Sequence, residues 1–395
     1  MRIPGILIMI RILQLTWITM LKRLSVVCSA SCMSLLIHGQ LIPSETDSLS
    51  LLFIGDIMGH DEQIWSAENR KTKSYNFDDV FLHIKPEISE ADVSIANFEV
   101  TLAGPPYRGY PRFSSPVDLA VACSNAGIDY LVTANNHSAD RGRTGIEKTI
   151  FRLDSMGINH TGTFLNSKNR DTLSPLIIKK KGFTIALLNY TYGTNGLEVP
   201  GPVIVNLIDT SQVSNDIKKA KQISPDLIIL FLHWGTEYDT IPSVGQVALT
   251  EYFFSKGVNF IIGSHPHVLQ KMVRLEESNC LVAYSLGNFV SNQQKRKTDG
   301  GSMIRIELIK NEAGEVKIKN AGYYLTWVYT PIENYRKKFF IIPCSKYEQN
   351  PGFFDKPSAF LKMKTFLGDS RALLNLQNVN IKEHIFSENG WQLKY

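Results

Sequence analysis

The chain has 395 residues and a mass of 44.5 kDa, enough for one large domain with an appendage or for two domains. Its 44% hydrophobic content and small net charge exclude a disordered chain. Nothing beyond residue 40 is apolar for long enough to span a bilayer, which excludes a polytopic membrane protein. A formal charge of +5 raises nucleic acid or anionic lipid as a partner, so the position of the charges matters.

Residues 1–40 contain no Asp or Glu, and Arg2, Arg11, Lys22 and Arg23 are their only basic residues. A basic start at Met20, the apolar run Leu24–Ile37 and then His38-Gly39-Gln40 read as an export signal cut after Gly39, or as an uncleaved N-terminal membrane anchor. Residues 1–19 read as an upstream start-site extension. Without the four leader cations, 38 basic residues face 37 acids, so the basic balance belongs to the leader. No nucleic-acid motif stands behind it. The expected location is therefore outside the cytoplasm, in the periplasm or cell envelope. Beyond the leader only Cys123, Cys280 and Cys344 remain, too few for a disulfide scaffold but enough for one bridge.

From Leu49 onward short apolar runs alternate with stretches of helical period. Strands are expected at Leu49–Ile54, Asp92–Ala96, Tyr130–Thr133, Leu176–Ile178, Ile185–Asn189, Leu227–Leu232, Phe260–Ile262 and Leu281–Tyr284. Between them, helices are expected at Phe77–Ser89, Pro116–Ala126, Thr144–Met156, Ile208–Gln222 and Val244–Ser255. This alternation predicts an α/β fold with buried sheets. A hairpin of Met303–Ile309 and Val316–Tyr323 is expected to end the sheet system.

Five of the strand runs end in metal-capable or acid/base side chains. They lead to Asp56, to Asn97 and Glu99, to Asn135-Asn136-His137, to His233, and to His265-Pro266-His267. Ligands in open α/β sheets bind outside the carboxyl ends of strands, so one crevice can collect all of them. Taken singly, Asp56 reads as a turn residue, Glu99 as a solvated acid and His233 as a core histidine. Taken together they read as a metal site, with oxygen and imidazole ligands suited to Zn, Mn, Fe or Mg. His265 and His267, two apart on an extended segment, are expected to point one way and flank the ion.

Six ordered motifs between Leu49 and Val290 resemble the capsule-synthesis proteins of the CapA (poly-γ-glutamate synthesis) family, related to calcineurin-like metallophosphoesterases. The motifs are Gly55-Asp56-Ile57-Met58, Asn97-Phe98-Glu99, Ala134-Asn135-Asn136-His137 with Asp140, His233-Trp234-Gly235-Thr236-Glu237-Tyr238, His265-Pro266-His267-Val268 and Tyr284-Ser285-Leu286-Gly287-Asn288-Phe289. The resemblance implies a four-layer α/β/β/α sandwich over residues 48–325, followed by a C-terminal extension over 326–395. It also implies two divalent metal ions. Asp56 and His267 would hold the first, Glu99 would bridge, and Asn136, His233 and His265 would hold the second. His137 would be the proton donor to the leaving oxygen, and Asp140 and Glu237 would orient ligand histidines.

Two departures follow from the motifs. Metallophosphoesterases carry Asp-x-His where this chain has Asp56-Ile57-Met58, and a thioether does not replace imidazole for a hard metal; His60 is the candidate substitute. The second motif carries Asn97 and Glu99 in place of the bridging aspartate. Two functions compete: an exported metal-dependent hydrolase acting on a phosphoester or a related acyl or amide bond in an envelope polymer, and a non-catalytic component that binds or guides an anionic capsular polymer. For the second, Lys179–Lys181, Lys218-Lys219 and Lys295-Arg296-Lys297 are the candidate contacts.

Overall fold

A computed structural model describes residues 47–394; the leader and its cleavage or anchoring lie outside the described residues. In chain order the principal strands are β1 (Asp47–Ile57), β2 (Val93–Phe98), β3 (Tyr130–Val132), β4 (Asn159–Thr161), β5 (Leu176–Lys180), β6 (Phe183–Thr191), β7 (Leu227–His233) and β8 (Phe260–Ser264). They continue with β9 (Met272–Leu275), β10 (Cys280–Ala283), β11 (Asn288–Val290), β12 (Gly300–Lys310), β13 (Val316–Tyr329), β14 (Phe340–Pro343), β15 (Lys382–Ser387) and β16 (Gly390–Leu393). The longer helices are α1 (Asp118–Asn125), α2 (Gly142–Ser155), α3 (Thr210–Gln222), α4 (Val244–Ser255) and α5 (Pro357–Gln377).

One sheet has the order β16-β15-β13-β12-β1-β2-β3-β4, with β11 added beside β1 and β14 beside β13. The other runs β9-β10-β8-β7-β6-β5. Within each sheet the central strands are parallel: β1 with β2, β2 with β3, and β6 with β7, β7 with β8, β8 with β10.

Side-chain alternation explains how the sheets stack. On β1, Leu51 and Phe53 join a core shared with Leu187, Ile229 and Phe231 of the second sheet. Their neighbours Leu52 and Ile54 point the other way, onto Leu119, Ala122 and Cys123 of α1. On the second sheet Leu188, Leu230 and Ile261 face outward onto Val213 and Ile217 of α3 and Phe253 of α4. Helix, sheet, sheet, helix: this is the four-layer sandwich that the motifs implied. Both faces of each sheet are covered, which is why the strands read as unbroken apolar runs.

The expected helix over Phe77–Ser89 is instead two short ones, Asp78–Phe81 and Lys85–Ser89. Pro86 has no N–H to bond back one turn, and it restricts the residue before it, so the chain bends and restarts. Helix α4 starts where expected because Ser243 and Gln246 form a reciprocal cap. The hairpin is longer than expected, β12 pairing with β13 from Gly300–Trp327 to Lys310–Val316. Strand β13 runs through residue 326, and Met363, Phe366, Leu367 and Leu374 of α5 enter the core between the sheets. Cys123, Cys280 and Cys344 are buried and free, so the available bridge is not formed.

Candidate metal centre

The parallel strands bring their carboxyl ends to one side, and the crevice there collects the expected residues. Asp56 lies level with Asn97 of β2 and with Asn288 of β11. On the facing sheet, His233 lies level with Ser264 and Thr191. Asp56 is aimed by a bulge: the register of β1 on β2 shifts between Ile54 and Asp56. Gly55 permits it, because a Cβ there would stand 2.2 Å from the Gly287 carbonyl oxygen, which accepts from the Asp56 N–H at 3.0 Å.

Asp56, Glu99 and His233 are each 0% exposed. Two groups of ligand atoms, each within 4.8 Å of one another, meet there: Asp56, Glu99 and His233, and Glu99, His265 and His267. Glu99 belongs to both, the position of a shared carboxylate. His267 Nδ1 lies 3.2 Å from Asp56 Oδ2 and 3.0 Å from Asn288 Oδ1. His233 Nε2 lies 2.9 Å from Asn136 Oδ1, while its Nδ1 faces Ser264 Oγ at 2.9 Å. Asn97 sits at the hub and donates from Nδ2 to Asp56 Oδ1 at 2.8 Å and to Glu99 Oε2 at 3.3 Å.

His265 and His267 do converge, with ring centroids 6.0 Å apart, but not on the extended segment expected. Both have positive φ, +100° and +58°, so a tight turn, not strand alternation, brings them together. A β-carbon at φ near +100° is strained, a cost of roughly 1–3 kcal/mol that functional sites bear where surrounding contacts hold it. Here the His265 N–H approaches Asp56 Oδ2 at 3.4 Å, and Pro266 O accepts from the Tyr238 N–H at 2.8 Å.

The electrostatics favour a cation. Burial and the nearby Asp56 carboxylate push the Glu99 carboxyl well above the usual range. Burial, with His265 and His267 beside it, holds His233 well below the usual imidazole range, and burial with His267 beside it lowers His265 to about 3. These imidazoles are neutral and ready to ligate. Glu99 Oε1 and His265 Nδ1 are buried with no hydrogen-bond partner, so two ligand atoms are left unsatisfied by protein. Oxygen and imidazole donors with orphaned lone pairs suit a divalent ion.

His137 stands apart from the ligand groups. Its Nδ1 lies 2.8 Å from Asp140 Oδ2, which also accepts from the Phe113 N–H at 2.7 Å, and its ring packs edge-on to Phe113. His60 caps the helix Asp61–Ala67, and its Nδ1 accepts from the Asn292 N–H at 3.2 Å; it belongs to neither ligand group. Met58 is buried in the apolar layer beneath the first sheet. Glu237 is exposed beside Tyr238, and among the described residues it has no hydrogen bond to a histidine. Three neighbours were not singled out as site residues in sequence: Ser264, which contacts His233, Asn288, which contacts His267 although it lies within the last motif, and Tyr192, whose ring lies 4.5 Å from that of His265.

The chain is similar to two capsule proteins of Bacillus. One is the capsule biosynthesis protein CapA of Bacillus anthracis, 29% identical over 68% of this chain and 66% of that one. The other is the PGA biosynthesis protein CapA of Bacillus subtilis (strain 168), 28% identical over 69% of this chain and 71% of that one. The chain thus spans just under two thirds of the first relative's length. Among solved structures, the NAD nucleotidase of Haemophilus influenzae aligns over 85% of this chain and 64% of its own, with 12% identity and a TM-score of 0.45, too slight a likeness to build on. The family described as bacterial capsule synthesis protein PGA_cap matches residues 50–293, from β1 past β11 and through every residue of the metal centre, and the chain belongs to that family.

Proposed function

We propose that the protein is an exported metal-dependent hydrolase acting on a phosphoester, or on a related acyl or amide bond, in the biosynthesis of an anionic capsular polymer. The observation that carries this reading is the pair of buried acid–imidazole groups sharing Glu99, with the His137–Asp140 pair alongside. The relatives' names support capsule biosynthesis as its setting. Export rests on the leader, whose anchored form would hold the protein at the membrane.

Asp56, Glu99, His233, His265 and His267 would hold the metal, with Asn136 Oδ1 completing the set beside His233. Divalent ions there supply Lewis-acid polarisation of a substrate oxyanion and acidify water near neutral pH. The protein's own residues supply the rest. Asn97 holds both carboxylates in place. Ser264 Oγ faces His233 Nδ1 and can accept a hydrogen bond from its N–H, the tautomer that leaves the Nε2 lone pair free for ligation. Asp140 holds His137 through Nδ1, so proton delivery to a leaving oxygen falls to Nε2.

The test is metal analysis of the purified protein together with turnover of an aryl phosphodiester and monoester. His137→Ala is expected to keep the metal and lose about 10²–10⁴-fold in rate. Absence of a stoichiometric divalent ion, or turnover unchanged in His137→Ala, ends the hydrolase reading. The second reading, a polymer-guiding component without catalysis, is favoured by one observation: the residue in the first motif's histidine position, Met58, is turned into apolar core.

A further inference from the structure

A second cavity, of about 410 Å³, opens between the 294–299 loop, the end of β13 and the start of α5. Its rim carries four basic residues, Arg296, Lys297, Lys356 and Lys362. Arg296 is held by a two-point ion pair with Asp369, both contacts 2.6 Å. The three lysines form no ion pair among the described residues. The two acids of the lining are already engaged: Asp299 Oδ2 accepts from Trp327 Nε1 at 2.8 Å, and Asp355 Oδ1 from the Tyr329 hydroxyl at 3.0 Å. One wall is apolar, formed by Trp327 and Phe366. Where α5 begins, no side chain caps the helix and no acid lies in its first turn, so its backbone N–H groups have no side-chain partner there.

The loop that forms the rim also reaches the metal centre. Asn288, which contacts His267, donates to Thr298 O at 2.8 Å and to Gln293 Oε1 at 3.2 Å, pinning the loop. Lys295 Nζ stands 4.3 Å over the Tyr238 ring, which lies 6.3 Å from the His267 ring. The next two residues, Arg296 and Lys297, are at the cavity. In the other basic runs Lys181 pairs with Asp92 at 2.6 Å and Lys219 donates to Ser174 O at 2.6 Å, and neither run lines the cavity.

We propose that this cavity is a distal subsite for an extended acidic chain, with carboxylates at Lys297, Lys356 and Lys362 and the aliphatic spacer on Trp327 and Phe366, while the reacting end passes Lys295 to the metal centre. The inference rests on the polymer reading above for its ligand class. Carboxylates on an aliphatic backbone match a surface that is cationic on one side and apolar on the other. Phosphate chains have nothing for the apolar wall.

The test is fluorescence anisotropy of a labelled glutamate decamer on the full chain in EDTA, which removes any attraction due to metal. Lys356→Gln/Lys362→Gln is expected to weaken binding by about tenfold, because it removes two solvent-exposed cations from the rim. The control Lys317→Gln/Lys319→Gln, two exposed lysines at the start of β13 outside the cavity lining, is expected to bind as the unaltered protein does. The subsite is refuted if the decamer does not bind, if the cavity pair binds unchanged, or if the control pair loses as much. A polyphosphate of matched charge that binds more tightly than the decamer overturns the carboxylate assignment. Metal content and aryl-ester turnover of the unaltered protein decide the hydrolase reading separately, so the two failures are distinguishable.

Discussion

Glu99→Gln separates the cost of the metal centre from its use. In the ion-free protein Glu99 and Asp56 present oxygens within 4.8 Å of each other in a fully buried site. At that separation, with an effective dielectric of about 20, two carboxylates repel by about 3 kcal/mol. Asn97 bonds both, but Glu99 Oε1 has no hydrogen-bond partner, with His233 Nε2 at 3.6 Å and His267 Nε2 at 3.8 Å. An amide at position 99 removes the cost of a second carboxyl there, met either as repulsion or as the proton that its raised carboxyl takes up, and keeps the oxygen that accepts from Asn97. The ion-free variant is therefore expected to be more stable than the unaltered protein by about 1–3 kcal/mol. With Mn²⁺ the order reverses. The unaltered protein gains about 4.1 kcal/mol when the free ion is at a thousand times its Kd, and the variant gains little, because both ligand groups lose their shared oxygen. Urea unfolding at neutral pH, in EDTA and in Mn²⁺, reads both quantities. A variant less stable than the unaltered protein in EDTA, or one stabilised equally by Mn²⁺, would refute the assignment of Glu99 as the shared ligand.

Two further predictions concern the frame around the site. Gly263→Ala puts a Cβ 1.9 Å from the Tyr284 carbonyl oxygen and 2.5 Å from Trp234 Nε1, so β8 must move from β10; a loss of about 3 kcal/mol in urea unfolding is expected, and a loss below about 1 kcal/mol would contradict that packing. His384, stacked on Tyr324 at 4.4 Å, is lowered from 6.5 to about 4 by burial, with the Arg305 charge adding to it. A lowered histidine stabilises the fold while neutral, so its contribution is complete above pH 6.5 and is lost as pH falls toward about 4. The loss is about 3 kcal/mol over that window, and His384→Gln should flatten the pH dependence of unfolding there; an unchanged slope would show that His384 is not buried as described.

Much of the architecture was legible because the sheets are covered on both faces. Continuous apolar runs such as Leu227–Leu232 need no partner to announce themselves, and α4 begins at Val244 as expected, after the Ser243 cap, while α3 begins two residues later than expected because Asp209 caps it. The short strands at Asn159–Thr161 and Asn288–Val290 were not legible, since two or three residues carry no periodicity. Nor was α5, whose buried residues Met363, Phe366, Leu367 and Leu374 sit among exposed ones of similar character, Leu361 and Leu376.

The sequence by itself determined which side chains gather at one crevice, because parallel strands must deliver their last residues to one edge, and it was enough to match Asp56, Glu99, Asn136, His233, His265 and His267 to a family's motifs. Only the tertiary structure decided how they meet. Distances across two sheets depend on the bulge at Gly55, on the turn that gives His265 and His267 positive φ, and on Asn97 standing between two acids. It also decided that His60 caps a helix and belongs to neither ligand group, and that the basic run at 295–297 links the metal centre to a second cavity. Those outcomes depend on contacts between residues far apart in the chain, and local spacing carries no record of them.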